Sequence, residues 1–560
     1  MMNFATPSGR FSLRLNDGHA ELVTEAFSLQ DTATINDDRW HHIVGSYDGQ
    51  SLKLWVDQRL AVERTGVTIR SGGSGSVFVG DVSNYSTTEH EPFVGELDDG
   101  RMVFASMQPD AIERHRAVRW SHSTERTTAG GTSRSLDEGR AGEVEATAAG
   151  ESFVVHTFER GLGIDGVTRI ATRAGSSVSM FSAAGSRRWT TTLSSSDADG
   201  AVVVRRIVAV GSDVVVAATA SRGNVLVNGT SIGAANDSDT PVLMRLSGTD
   251  GRVRWWQVYA RGGSAELRGL SSIDASTLVA GGRFEGTHEF GSATLTSAGA
   301  ADLFVLRIDA NDGSVRSAFR AGGAADERLA AVASVDASVV LVGTYGGAAS
   351  DLGGAALANP GAHRWGFVAR LASDGSHQFS TSLSARGDAR PLDVRSSSAG
   401  YVVAGEFDQS LSLLSRTHSG NPTGSTPFVA SFDAVNDSVS WTSVIEDSLA
   451  VAFAPRIVVN SSRVSLLIRT HVSDSSPLSR IGQTFVAMPG TLTVVDLARS
   501  TGAPIRSEVV ATDRAAIPNA IASLPDGSRI VKVDHQERLT INGYTIGTGL
   551  PTQSVLRLVF

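Results

Sequence analysis

The chain has 560 residues, 41% hydrophobic and 19% charged, with 59 glycines against 15 prolines, a net charge of −9 and a pI near 5.8. That length exceeds one ordinary core and predicts two to four units of about 150 residues each. An acidic chain with no basic stripe makes a poor nucleic-acid binder, the lack of cysteine excludes disulfides, Cys zinc sites and thiol nucleophiles, and no apolar run reaches the ~18 residues of a membrane-spanning helix.

The opening MMNFATPSGRF has neither the basic nor the apolar region of a signal peptide. Alternation with period 2 follows in HIVGSYDGQSLKLWVDQRLAV. Ile43, Gly45 and Tyr47 share one face. After the Asp48-Gly49 turn, Leu52, Leu54 and Val56 share a face opposite Ser51, Lys53, Trp55 and Asp57. Two such runs about an Asp-Gly pair predict a β-hairpin. Further strands are predicted at SVFVGDV and FVGELDDGRMVF, then a short helix over AIERHRA, residues 111–117, opened by Gln108-Pro109-Asp110.

RWHHIVGSYDGQSLKLWVDQRLAV resembles the signature hairpin of laminin-G-like, concanavalin A-like jelly rolls. FVGELDDGRMVFASMQPDAIERH is similar to their closing strand and terminal helix. The resemblance runs from Ser8 to Arg116. It departs at Gln58, where the family has a turn glycine, and in the early position of the hairpin at Trp40. That position implies that opening strands of the sandwich are missing and that the N-terminus is incomplete. The same fold hosts glycoside hydrolases with a Glu pair on one strand, E-x-D-x-(x)-E, flanking the scissile bond. Glu96-Leu97-Asp98 begins that pattern, but Gly100 and Arg101 stand where the second Glu is required, so a structural role is expected for Glu96 and Asp98. His41 and His42 are adjacent on a strand and point to opposite faces, so they cannot share a metal. Glu89-His90-Glu91 is a loop cluster that could bind a cation. The resemblance also implies calcium in some members, with no ligand set that maps here.

SHSTERTTAGGTSRSLDEGRAGEV carries no apolar periodicity and reads as a linker. The expected domains are therefore a jelly roll at 1–120, a flexible linker at 121–142 and a third region at 143–560.

That third region repeats. Gly185 leads to Trp189, Gly251 to Trp255, Gly375 to Phe379 and Asp437 to Trp441, each four residues on, while Gly313 and Gly502 keep the turn without the aromatic. Apolar strands precede the turns: VLMRL, FVLRID, FVARL, FVASFD, LTVVDL, and finally SVLRLVF. Upstream of each lies a strand of small apolar residues (TLVAGGRF, VVLVGTYG, YVVAGEFD), and a hairpin recurs as VLVNGTSIG and LTINGYTIG. One unit is thus a four-stranded sheet with an inserted hairpin. Such sheets bury both faces only when stacked radially. Seven inner strands against six outer ones predict a seven-bladed β-propeller whose last blade lacks its outer strand. Trp189, Trp255, Phe379 and Trp441 are the expected blade-packing aromatics.

Leu246–Trp255 resembles the "LDxxTGxxxW" docking repeats of quinoprotein-type propellers. Gly281–Gly313 resembles repeats of bacterial seven-bladed propellers found in secreted and surface proteins. The first resemblance alone would imply a quinone cofactor; no cysteine pair or cofactor motif accompanies it. Sialidase Asp boxes have tighter spacing. Asp309-Ala310-Asn311-Asp312-Gly313 looks like a calcium loop but lacks the bidentate Glu at position twelve. No catalytic, cofactor-binding or metal residues are therefore assigned. Arg283 and Glu406 are the only obvious polar candidates at the channel end of the blades. The expectation is an all-β protein, a partial concanavalin A-like sandwich joined to a propeller, acting as a non-enzymatic, extracellular or cell-surface binder of glycan or protein. Its loops at Asp81–Pro92 or one propeller rim would carry recognition. The alternative is a polysaccharide hydrolase or lyase using the propeller channel.

Overall fold

The computed structural model describes residues 2–6, 9–24, 28–35, 43–47, 51–56, 59–66, 76–79, 118–126, 143–158, 162–164, 167–169, 174–421, 424–445, 453–469, 479–481, 484–487, 492–511, 517–535, 539–541, 544–546 and 552–558. Among them every regular element is a strand, and no helix is long and apolar enough to cross a membrane. The chain divides into two compact units between Ala117 and Val118.

In the first unit a five-stranded and a three-stranded antiparallel sheet pack face to face. Ser51–Val56 shows the alternation read from the sequence: Leu52, Leu54 and Val56 are buried, in one core with Ala20, Leu22 and Leu29 of the larger sheet and Ile35 just beyond it. Four strands, Met2–Thr6, Gly9–Asn16, His19–Thr24 and Ser28–Thr34, precede that hairpin, where the sequence reading expected the opening strands to be missing. The signal for them is the Asp17-Gly18 pair, at φ 52° and 76°, which closes a two-residue turn with Asn16 opposite His19. The strand Ser76–Val79 pairs with Met2–Thr6. His41, His42, the loop 81–92, Glu96, Asp98 and the expected helix at 111–117 lie outside the described residues.

In the second unit, four four-stranded and three six-stranded antiparallel sheets are present among the described residues, each containing a blade of four strands. Their first strands are Val144–Ala146, Ala201–Val210, Ala265–Ser272, Asp326–Val335, Ala389–Ser397, Phe453–Val459 and Ile517–Ser523. Each packs on the next, and the seventh packs on the first, so the ring closes. This is a seven-bladed propeller. Blade 2 shows the plan: Ala201–Val210, Asp213–Ser221, Thr240–Leu246 and Val253–Val258 in that order from axis to rim. Its second strand is buried almost throughout, because neighbouring blades cover both faces; hence the unbroken apolar runs. Outer strands alternate, as Arg187–Ser195 does.

The last blade is complete. Its outer strand is Val118–Arg126, which pairs antiparallel with Thr552–Leu558, from Glu125 opposite Thr552 to Val118 opposite Leu558. The segment read as the start of a linker at Ser121 is thus a strand of the propeller through Arg126. Its polar side chains hid it, because pairing with a neighbouring strand needs only the backbone. The two ends of the propeller meet in one sheet, which locks the ring. Inserted hairpins extend three blades further: the hairpin of blade 2 pairs with the outer strand of blade 1, that of blade 5 with blade 4, and that of blade 1 with Val118–Arg126.

Candidate functional site

The repeated aromatic belongs to a docking unit between blades. Trp189 lies against the Gly251 turn of the next blade and donates from Nε1 to the Gly248 carbonyl at 2.8 Å; Thr191 Oγ1 donates to the Gly251 carbonyl at 2.7 Å. Trp255 repeats this on Gly313, with Nε1 3.0 Å from the Ala310 carbonyl. Trp441 repeats it on Gly502, with Nε1 2.7 Å from Arg499 O and Ser443 Oγ 2.7 Å from Gly502 O. Glycine is required at these turns twice over. Gly313 sits at φ 76°, and a Cβ there would stand 2.5 Å from the Trp255 ring. Phe379 is half-buried at the blade 4–5 junction, where the next turn carries Asp437 at φ 54°. That carboxylate accepts from Arg370 Nη1 at 3.1 Å and Tyr401 OH at 3.0 Å. On the strand after Gly313, Phe319 lies on the Gly375 turn; it is six residues on rather than four, on the same face of the strand.

A second inter-blade link was legible only as a letter in VLMRL, FVARL and SVLRLVF. Arg245 Nη1 donates to Ala310 O at 2.8 Å, Arg370 Nη1 to Ala434 O, and Arg557 Nη1 to Ala183 O, each at the turn of the following blade. The last of these joins blade 7 to blade 1.

At the axis the inner strands share an irregularity. The pairing register slips by one residue at Arg205, Arg268, Ala330, Leu392 and Asn519, a bulge that re-aims side chains. The charged residues of this waist are mostly paired. Arg206 Nη1 donates to Glu143 Oε1 and lies 3.9 Å from Asp393 Oδ1; Arg395 Nε is 3.5 Å from Asp393 Oδ2; Arg268 is 2.8 Å from Glu266. Burial opposes ionisation of Asp393, but Arg395, Arg206 and Arg456 together hold its carboxyl below the usual range. Burial pushes Glu145 up to about 7, with Arg395 opposing and Glu143 adding to the shift. The cavity left at the waist is about 10 Å³, lined by Glu143, Arg205, Arg206, Arg268, Ala330 and Arg456. A larger hollow of about 440 Å³ lies over the inner turns of blades 6, 7 and 1, lined by groups that include Thr147, Asn460, Ser461, Ser462 and Ser523.

The two polar candidates from the sequence are not brought together. Arg283 pairs with Glu285 on blade 3, whereas Glu406 accepts from Arg390 Nε at 2.9 Å on blade 5. Arg390 also reaches Asp388 and Asp408. The Asp309–Gly313 loop is a capped turn: Asp309 accepts from Asn311 N at 2.8 Å and Arg316 Nη2 at 2.7 Å, and Asp312 from Ser314 N at 2.8 Å. Among the described residues no three His, Asp or Glu side chains converge as metal ligands.

Residues 2–113 match the family model for the concanavalin A-like lectin/glucanases superfamily, Laminin_G_3. The N-terminal domain is therefore concanavalin A-like. No curated protein matches the chain. Among solved structures, BamB from Moraxella catarrhalis is similar at 13% identity over 75% of this chain and 97% of its own, with a TM-score of 0.33. The quinohemoprotein alcohol dehydrogenase from Comamonas testosteroni is similar at 11% identity over 74% of this chain and 75% of its own, with a TM-score of 0.33. At such scores the propeller assignment rests on the sheet order and ring closure above. The activity of the concanavalin A-like domain is not carried by its fold.

Proposed function

We propose that this chain is a non-catalytic recognition protein, secreted or exposed at a cell surface, that binds carbohydrate or a protein partner. One observation carries the reading. On the inner strands, where a channel enzyme would work, the cavity lined by Glu143, Arg206, Arg268 and Arg456 has room for about one water molecule, and most of the charges around it satisfy one another. Catalysis needs free acid, base or nucleophilic groups converging on a substrate-sized space. A larger concave surface among the described residues lies over the turns of blades 6, 7 and 1. Its hydroxyl and amide groups, with no charge among the lining residues, suit a neutral, hydroxyl-rich ligand, and its volume falls in the usual range for ligand sites. The concanavalin A-like domain adds a second candidate surface.

The test is a glycan array run beside chromogenic glycosides and polysaccharides. Binding without turnover, lost in Ser462→Trp, supports the reading and assigns recognition to the hollow. Binding unchanged in Ser462→Trp moves recognition to the concanavalin A-like domain or another rim. Hydrolysis lost in Glu406→Gln overturns it in favour of a channel enzyme.

A further inference from the structure

The geometry points to a halide-binding site at the waist of the propeller, in which one chloride ion occupies the small axial cavity and is held chiefly by Arg456. Four guanidinium groups and one carboxylate line that cavity. Glu143 is engaged by Arg206, and Glu266 by Arg268. Arg205 and Arg456 also line the space, and Arg456 stands outside both of these ion pairs. It is 3% exposed, and its hydrogen bonds go to two neutral carbonyls, Asn519 O at 2.9 Å and Leu392 O at 3.4 Å. Among the described residues no carboxylate stands within ion-pair distance of it; Asp393 is held by Arg395 and Arg206 and accepts from Ile457 N.

A buried guanidinium whose counter-charges, Asp393 and Glu143, act only from beyond ion-pair distance and are shared with other arginines is costly. Burial, and then the like charge of Arg206, drives the Arg456 pKa below the ordinary value, with Asp393 and Glu143 opposing the shift. An anion in the adjoining cavity removes that penalty. The size of the space selects the anion. A volume of about 10 Å³ is on the scale of one small particle, which favours a monatomic halide over sulfate, phosphate or a carboxylate. The lining comes from blades 1, 2, 3, 4 and 6, so a bound chloride would join five blades at the axis and act as a stabilising ligand of the folded ring.

Two measurements test this. Crystals of the full chain soaked in bromide should show one anomalous peak on the axis beside Arg456; its absence overturns the proposal without any variant. In solution, replacing gluconate by chloride at constant ionic strength should raise Tm by a few degrees and then saturate, as a single site requires. Sulfate, which the size of the cavity disfavours, should act only through exclusion from the surface and without saturation. Arg456→Met should abolish the saturating response. A Tm that ignores chloride, or a saturating response that survives in Arg456→Met, overturns the site. Should Arg456→Met fail to fold, the bromide peak in the unaltered protein decides.

Discussion

At the outer edge of the propeller, Trp189, Trp255 and Trp441 take one position in three blades, each on a left-handed glycine and each donating to a carbonyl of the next blade. At the axis the residue at the bulge is Arg205 in one blade, then Arg268, Ala330, Leu392 and Asn519. The same repeat therefore conserves its rim contacts and varies its axis. The rim contact is a geometric need shared by several junctions between blades, where a flat ring sits on the glycine turn of its neighbour, at Gly251, Gly313, Gly375 and Gly502. The axis has no such need, because any side chain that fills the narrow centre and finds a partner will do. What differs among blades is where a particular ligand can be read.

The largest effect expected is at the rim. Trp255 is 7% exposed and packed with Phe304, Leu306 and Ile308. Trp255→Ala should cost about 3–5 kcal/mol, as for other large buried aromatics, measured by urea unfolding. A loss no greater than that of a surface substitution would break the comparison, because the belt would then contribute little.

The charged interior gives the next effect, through pH. Glu327, on the innermost strand of blade 4, is fully buried and accepts from Ser350 Oγ at 2.8 Å. Burial, despite that bond, and with the nearby charges of Asp302 and Asp326 adding, raises its pKa from 4.5 to about 7. The folded chain then keeps a proton that the unfolded chain releases. The contribution is complete below about pH 4.5 and is lost as pH rises through about 7, a fall of about 3 kcal/mol. Glu327→Gln should flatten stability between these limits and exceed the unaltered protein at pH 8. An unchanged slope in the variant would mean that Glu327 ionises freely in the fold.

A smaller effect separates the ring from its seat. Gly313→Ala should cost about 1–3 kcal/mol, from a Cβ forced against the Trp255 ring at positive φ. In a Trp255→Ala background the steric part of that cost should vanish, leaving the backbone part. Equal costs in both backgrounds would mean that ring and glycine are not a unit.

This contrast explains what was legible beforehand. The Gly-x-x-x-Trp spacing marks the docking unit because the fold demands it at several junctions. The alternation of Leu52, Leu54 and Val56 marks a sandwich strand because one face is buried. Val118–Arg126 was hidden, since its pairing is through the backbone to a strand at the far end of the chain. Arg456 and Glu143 were hidden because no period repeats them; only the closed ring brings blades 1 and 6 to one cavity. Arg245, Arg370 and Arg557 were present in strings already aligned, but a lone Arg in an apolar strand gives no hint of the carbonyl it will meet.

The smallest expected effect lies one residue from the largest. Trp255 and Trp256 are adjacent on the strand Val253–Val258, so their side chains point to opposite faces. Trp255 turns to the next blade, while Trp256 is 46% exposed. Composition, strand position and residue type are the same for both; only the face differs. Trp256→Ala should therefore change stability by no more than about 0.5 kcal/mol, the usual range for surface sites away from special features. The pair of variants is a controlled test of the docking unit, because it isolates the contact with the glycine turn from the general effect of deleting an indole. A loss for Trp256→Ala comparable to that for Trp255→Ala would mean that the strand, rather than the ring seated on Gly313, carries the energy, and the belt would lose its distinction from the rest of the rim.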